Sequence, residues 1–251
     1  MTTPAVQDTV RLRNDSARIT ELIVTDLSAP VPSCPGWTLR DLVEHLGGVH
    51  RWARECVETG APPARARATD PLSEPPPEEA DALARWFGDG AIGLANALDA
   101  APLDAPTWTP FPIPDPTIAV WLRRQTHETA LHRWDAEAAV ASPREMDPAL
   151  AADGVDEYLE VIVPRKVERD GIVLPPGSAH LHCTDTPGEW TVEVVDGEYV
   201  LDRSHRKGDA AIRGTAEHLL LRLWGRDIPD GSIEVIGDEA VASAWTSIGG
   251  N

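Results

Sequence analysis

Hydrophobic spacing changes its period part-way along this chain, and the change demands two kinds of structure in one polypeptide. In the first part apolar residues recur every three to four positions, as on a helix buried along one face; later they alternate every second position, as on a half-buried strand. Val10, Leu12, Ile19, Leu22, Ile23 and Leu27 predict a first helix over Thr9 to Leu27. After a Pro-rich loop, Thr38 is placed to cap a second helix with the stripe Leu39, Leu42, Val43, Leu46 and Val49, which Gly60 and Pro62 stop. A loop rich in Pro, Ala and Arg runs to about Pro77, and Leu83, Trp86, Phe87, Ile92, Leu94 and Leu98 then predict a third helix over Glu78 to Leu98. Prolines over Pro102 to Pro116 exclude helix and make an extended connection, before a fourth helix over Thr117 to Val140. Four helices with two longer connections are the parts of a bundle.

One more amphipathic helix, Pro148 to Ile162, precedes the switch to alternation. His180, His182 and Thr184 alternate with Leu181, Cys183 and Asp185; Glu189 to Val195 and Glu198 to Asp202 follow, joined by Asp196-Gly197, a two-residue hairpin signal. Ala210 to Arg213 and Ser232 to Ile236 read as further strands, with short helices at Thr215 to Trp224 and Glu239 to Ile248. The expected fold class is therefore α plus α+β: a four-helix bundle over residues 1–145, then a small α+β domain over residues 146–251.

Charge and cysteine usage exclude several functions. The chain of 251 residues carries 41 acidic against 22 basic residues, a net charge of −19, which repels phosphate backbones and anionic lipid. No nucleic acid or membrane partner is expected. The three cysteines, Cys34, Cys56 and Cys183, show no CxxC spacing, so neither a disulfide framework nor a Cys-based zinc knuckle is expected. With no signal-like start and no apolar run of spanning length, a cytoplasmic location is expected. No GxSxG or phosphate-cradling glycine loop is present, which removes serine-hydrolase and nucleotide chemistry.

The chemistry concentrates on the fourth helix, in His127-Glu128-Thr129-Ala130-Leu131-His132. This HExxxH is one residue longer than the zincin HExxH, so His127 and His132 diverge around the helix while Glu128 and His132, four apart, share a face. Carboxylate and imidazole suit zinc or another divalent first-row metal. The third ligand has to come from another helix. His45 lies within the apolar stripe of the second helix, so its ring is expected to point inward, whereas His50 and His127 are not expected to be ligands. Two histidines and one glutamate leave a coordination position open, as in catalytic sites. The plainer alternative is a surface Glu/His pair worth a few tenths of a kcal/mol beside a hydrogen-bonded core histidine. Arg124, Arg133 and Asp135 are expected in solvated or interhelical charge pairs, and Trp37, Trp52 and Trp134 in the core.

Two passages, Pro35-Gly36-Trp37-Thr38 followed by Asp41-Leu42-Val43-Glu44-His45, and Glu128-Thr129-Ala130-Leu131-His132-Arg133-Trp134-Asp135, resemble the mycothiol-dependent maleylpyruvate isomerase family, whose metal-binding domain belongs to the DinB-like helical bundles. The second half resembles that family's sterol-carrier-like domain, with Ile212-Arg213-Gly214-Thr215 opening a strand-to-helix turn and Leu223-Trp224-Gly225-Arg226 closing the helix. The resemblance implies His45, Glu128 and His132 as metal ligands, zinc as the metal, mycothiol as the thiol cofactor and Arg226 as a residue serving activity. It implies addition of a thiolate to the cis double bond of an electrophilic substrate, rotation about the resulting single bond and elimination to the trans product, with Arg226 holding a substrate carboxylate and stabilising enolate charge. The same site suits a thiol S-transferase. Two other classes remain open: a non-catalytic small-molecule-binding protein, and a metal-dependent hydrolase using activated water. Either a monomer or a homodimer is compatible with the chain.

Overall fold

Thr38 starts the second helix as its side chain predicts. Its hydroxyl accepts the Asp41 backbone N–H, and the Asp41 carboxylate accepts the Thr38 N–H at 2.8 Å, a capping box. This helix, α2, spans Leu39–Thr59 and ends at Gly60, whose left-handed φ of 64° lets its N–H reach the Cys56 carbonyl. The computed structural model describes residues 8–64, 75–141 and 143–248. They divide into two units, Met1–Arg144 and Glu145–Asn251. Most of the loop expected up to Pro77, residues 65–74, lies outside the described residues.

In the first unit α2 joins α1 (Asp8–Ile23), α3 (Ala80–Ala100) and α4 (Ile118–Val140). Both α1 and α2 pack against α3 and α4, which places α4 beside α2. Helix α1 ends four residues short of Leu27, because the Leu22 carbonyl is taken by the Thr25 hydroxyl and Asp26 accepts from Ser28 in a turn. Helix α3 closes on α2 at Gly47, where a Cβ would overlap the Trp86 ring. One apolar cluster gathers Ile19, Leu22, Leu39, Leu46, Leu83 and Phe87; a second gathers Leu12, Trp52, Cys56, Leu98, Ile118 and Trp121.

Helix α4 supplies Ile118, Trp121 and Leu122 to one cluster and Ala136 to the other. Between these positions it buries Arg124, Gln125, Thr129, His132, Arg133 and Asp135. Burial corrects the expectation of solvation for all three charged residues, Arg124, Arg133 and Asp135. Arg124 and Asp135 are buried and bond within α4, to Glu128 and His132, because neighbours three and four residues away on one helix are nearest. Arg133 does reach another helix, at Asp15 of α1, 3.1 Å away.

The second unit opens with α5 (Pro148–Glu157), a widened π turn over Tyr158–Ile162, and α6 (Val163–Asp170). The helix thus passes beyond the expected end at Ile162, through Pro164. The π turn, closed by the Val163 N–H on the Tyr158 carbonyl, absorbs the missing proline donor. Strands β1 (Ala179–Cys183), β2 (Glu189–Val195), β3 (Glu198–Asp202), β4 (Ala210–Gly214) and β5 (Ile233–Gly237) form a sheet in the order β3-β2-β1-β4-β5, antiparallel except for β1 beside β4. The β2–β3 hairpin turns on Asp196 and Gly197 with φ of 52° and 86°, the left-handed pair of a type I′ turn. Leu181, Cys183, Trp190, Val192 and Ile212 are buried, with α7 (Ala216–Leu223) and α8 (Glu239–Thr246) packed on the central strands. Among the described residues no helix is long and apolar enough to cross a membrane.

Glu137, fully buried, fastens the C-terminal end of α4. Its carboxylate accepts from Arg18 of α1 at 2.8 Å, from Arg133 at 2.6 Å, and from the backbone N–H and guanidinium of Arg144 at 2.9 and 2.8 Å. Burial alone raises its pKa, but the Arg144 N–H and the three guanidinium groups outweigh burial and hold it at about 2, against an ordinary 4.5. A carboxyl depressed in the folded state adds stability above its unfolded pKa and loses it as pH falls from 4.5 through about 2. The shift corresponds to about 3 kcal/mol. Glu137→Gln is expected to lower the unfolding free energy at pH 7 by about 3 kcal/mol and to flatten its decline in that acid window, measured by urea unfolding at stepped pH. A variant as stable as the parent would refute this linkage.

Candidate metal centre

Because α2 and α4 are neighbours, an inward residue of one meets the buried polar band of the other. Among the described residues, His45, Glu128 and His132 each offer a ligand atom, and all three atoms lie within 4.8 Å of one another. Glu128 Oε1 is 3.4 Å from His132 Nε2 and 3.8 Å from His45 Nε2. The two imidazoles meet edge to face, and the Trp37 ring lies 5.0 Å from that of His45. Arg226 belongs to the second unit and is not part of this group.

The surrounding side chains fix how each donor is presented. Arg124, one turn before Glu128, binds Glu128 Oε2 at 2.7 Å and leaves Oε1 toward the histidines. Asp135, wholly buried, takes His132 Nδ1 at 2.9 Å through one oxygen and the Ser33 hydroxyl at 2.5 Å through the other. With Nδ1–H engaged, Nε2 is the face His132 turns to the group. A carboxylate behind a histidine is the usual support of a metal-ligating imidazole. Sequence reasoning missed this role, although the signal was present: the His-x-x-Asp spacing puts Asp135 one turn after His132.

Charge in the pocket favours a cation. Burial tends to raise the Glu128 pKa, yet Arg124 and the two histidines outweigh it and hold the carboxyl well below its usual range. Burial tends to lower that of His132, but Asp135 and Glu128 outweigh it and lift the imidazole to about 9. The pocket therefore stabilises positive charge between Glu128 and His132, a demand that a dication in place of the proton also meets. The donor set, two imidazole nitrogens and one carboxylate, fits a divalent first-row metal with a position open to a further ligand. His45 and Glu128 keep 23% and 18% of their side chains exposed, against 9% for His132, so the group is not sealed.

The remaining candidates lie elsewhere. His50 is buried against Phe87 with Nε2 on the Thr129 hydroxyl at 3.0 Å, and burial, the largest influence, pushes its pKa down to about 3, so it is a neutral core residue. His127 is buried outside the group. Arg226 follows α7 in a Schellman cap: its N–H reaches the Leu221 carbonyl, the Gly225 N–H reaches that of Arg222, and Gly225 has a φ of 72°. The guanidinium is buried and donates to the Trp224 carbonyl at 2.8 Å.

Residues 11–137 match the family model described as the mycothiol maleylpyruvate isomerase N-terminal domain, and residues 149–244 match that of the corresponding C-terminal domain. An uncharacterized protein of Mycobacterium tuberculosis, found in two strains, is 28% identical over 154 residues, which cover 60% of this chain and 74% of that protein. Among solved structures, the crystal structure of a mycothiol-dependent maleylpyruvate isomerase superposes with a TM-score of 0.59 at 12% identity, over 93% of each chain. A histidine-to-alanine mutant of that enzyme superposes with a TM-score of 0.58 at 10% identity, again over 93% of each chain.

The support of His132 by Asp135 has a measurable consequence. Asp135→Asn keeps the shape of the side chain but removes the charge behind the imidazole, and is expected to weaken zinc binding at this centre 10- to 100-fold in chelator competition. Alanine at His45, Glu128 or His132 is expected to lower bound zinc by one equivalent per chain. Full retention in all three would disprove the centre.

Proposed function

The chain belongs to the mycothiol maleylpyruvate isomerase family, and from that premise we propose that it is a divalent-metal-dependent, mycothiol-dependent cis/trans isomerase acting on a small electrophilic acid of the maleylpyruvate type. The observation that carries the metal dependence is the convergence of His45, Glu128 and His132 with one orienting partner behind each of the two α4 ligands. Three protein donors leave a coordination position for the thiol, the arrangement of a catalytic centre. A divalent metal there, zinc in our reading, supplies a Lewis acid that favours thiolate over thiol at neutral pH.

The chain's own residues perform the rest. Arg124 and Asp135 keep the Glu128 oxygen and the His132 Nε2 aimed at one point, which limits reorganisation on ligand entry. Trp37 packs against His45 and restricts its ring. Arg226 is the residue we assign to a substrate carboxylate, where a guanidinium offers paired charge-assisted hydrogen bonds and stabilises developing enolate charge. Its backbone bonds in the Schellman cap do not involve the side chain, so alanine at this position preserves the cap.

Turnover of maleylpyruvate by the metal-loaded chain, with and without mycothiol, tests this reading. The expected result is isomerisation that requires thiol and returns it unconsumed. Stoichiometric loss of thiol into an adduct would make the enzyme an S-transferase, hydrolysis without thiol a metal-dependent hydrolase, and ligand capture without turnover a binding protein. Arg226→Ala is expected to retain metal while kcat/KM falls about 10²- to 10³-fold. Unaltered kinetics would remove Arg226 from the mechanism.

A further inference from the structure

The outer face of the sheet carries a second convergence of donors, in the unit that lacks the first. His180 and His182 lie two apart on β1 and so point to the same face. Antiparallel register sets Glu189 of β2 directly opposite His182, and the chain after β3 returns over this face with His205. His182 Nδ1 lies 2.8 Å from Glu189 Oε1, His205 Nδ1 lies 2.7 Å from Glu189 Oε2, and His180 Nε2 is 4.0 Å from that same oxygen. One ligand atom from each of the four residues falls within 4.8 Å of the others.

His180 shows why this is more than a surface charge pair. It is 5% exposed, and its Nε2 is buried with no hydrogen-bond partner among the described residues. Its Nδ1 lies 3.2 Å from the hydroxyl of Thr191, a residue with no exposure at all. That hydroxyl donates to the Arg206 carbonyl and so accepts from His180 Nδ1–H. The proton is thereby fixed on Nδ1, and Nε2 presents a bare lone pair toward Glu189 and the His205 ring, 5.2 Å away. A buried nitrogen with no partner costs stability unless something fills its lone pair.

We propose that His180, His182, Glu189 and His205 form a second metal site, specific for a borderline divalent ion such as zinc. Three imidazoles and a carboxylate suit such an ion, whereas calcium and magnesium want oxygen. Four protein donors complete a tetrahedron, so this is a closed, structural site in contrast to the open one on α2 and α4. The ion ties the segment after β3 to the sheet through His205, whose side chain is otherwise 79% exposed.

The test uses the full chain carrying Glu128→Ala and His132→Ala, so that the first centre is removed, with zinc alone as probe in chelator competition. One equivalent is expected to bind. Added His205→Ala, at an exposed residue whose loss leaves the core intact, is expected to weaken it at least about tenfold, and Thr191→Val, which preserves shape but frees the His180 tautomer, about 10- to 100-fold. A background chain that binds no zinc, or both added variants titrating like that background, would overturn the site. Neither result bears on the first centre, which is read separately in a chain carrying His182→Ala and His205→Ala.

Discussion

A helix that must be buried yet carries charge in its middle has to find a partner for every charged group, and α4 organises the first unit around that demand. Its ends join the two apolar clusters, but the buried stretch between them holds Arg124, His132, Arg133 and Asp135. Unpaired, any of these would cost several kcal/mol. They are satisfied in a chain of contacts: Arg124 with Glu128, His132 with Asp135, Asp135 with Ser33, Arg133 with Asp15 and Glu137. These contacts draw in α1 and the loop before α2, so the polar band sets which elements lie beside α4 as firmly as the apolar clusters do.

The candidate metal centre follows from the same arrangement. The capping box at Thr38 defines where α2 begins, and therefore which of its residues face α4. His45, seven residues past the cap, arrives opposite the Glu128/His132 edge, while His50 lands beside Thr129 and stays neutral. Two histidines on one helix thus have opposite fates. The one near the polar band is placed to share a cation, and the one packed on Phe87 completes a core hydrogen bond.

Much of this was legible in local sequence because it depends on local rules. Thr38 and Gly60 mark the ends of α2, Asp196-Gly197 marks the β2–β3 hairpin, and the four-residue spacing of Glu128 and His132 forces them onto one helix face. What local rules miss is contact between distant segments. Asp135 read as an ordinary charge because Ser33, 102 residues away, completes its shell. The alternation of His180 and His182 showed a strand but not what covers its outer face, since Glu189 enters through strand register and His205 through a returning loop. The helix expected to stop at Ile162 runs on through Pro164, and only the π turn before that proline shows how it continues.

Charge resolves an apparent conflict between the acidic chain and the anionic substrate proposed for it. A chain of net charge −19 repels a carboxylate-bearing electrophile at long range, but screening cuts that repulsion within roughly 8–10 Å in physiological salt. Close to the centre the balance is different. Glu128 and Asp135 contribute two negative charges and Arg124 one positive, so a bound dication with neutral histidines leaves the pocket singly positive. One thiolate would neutralise it, without the surplus positive charge that holds an anionic product. An anionic group bound beside that thiolate would then need a cation of its own, best a guanidinium, which stays charged after desolvation and binds carboxylate through paired donors.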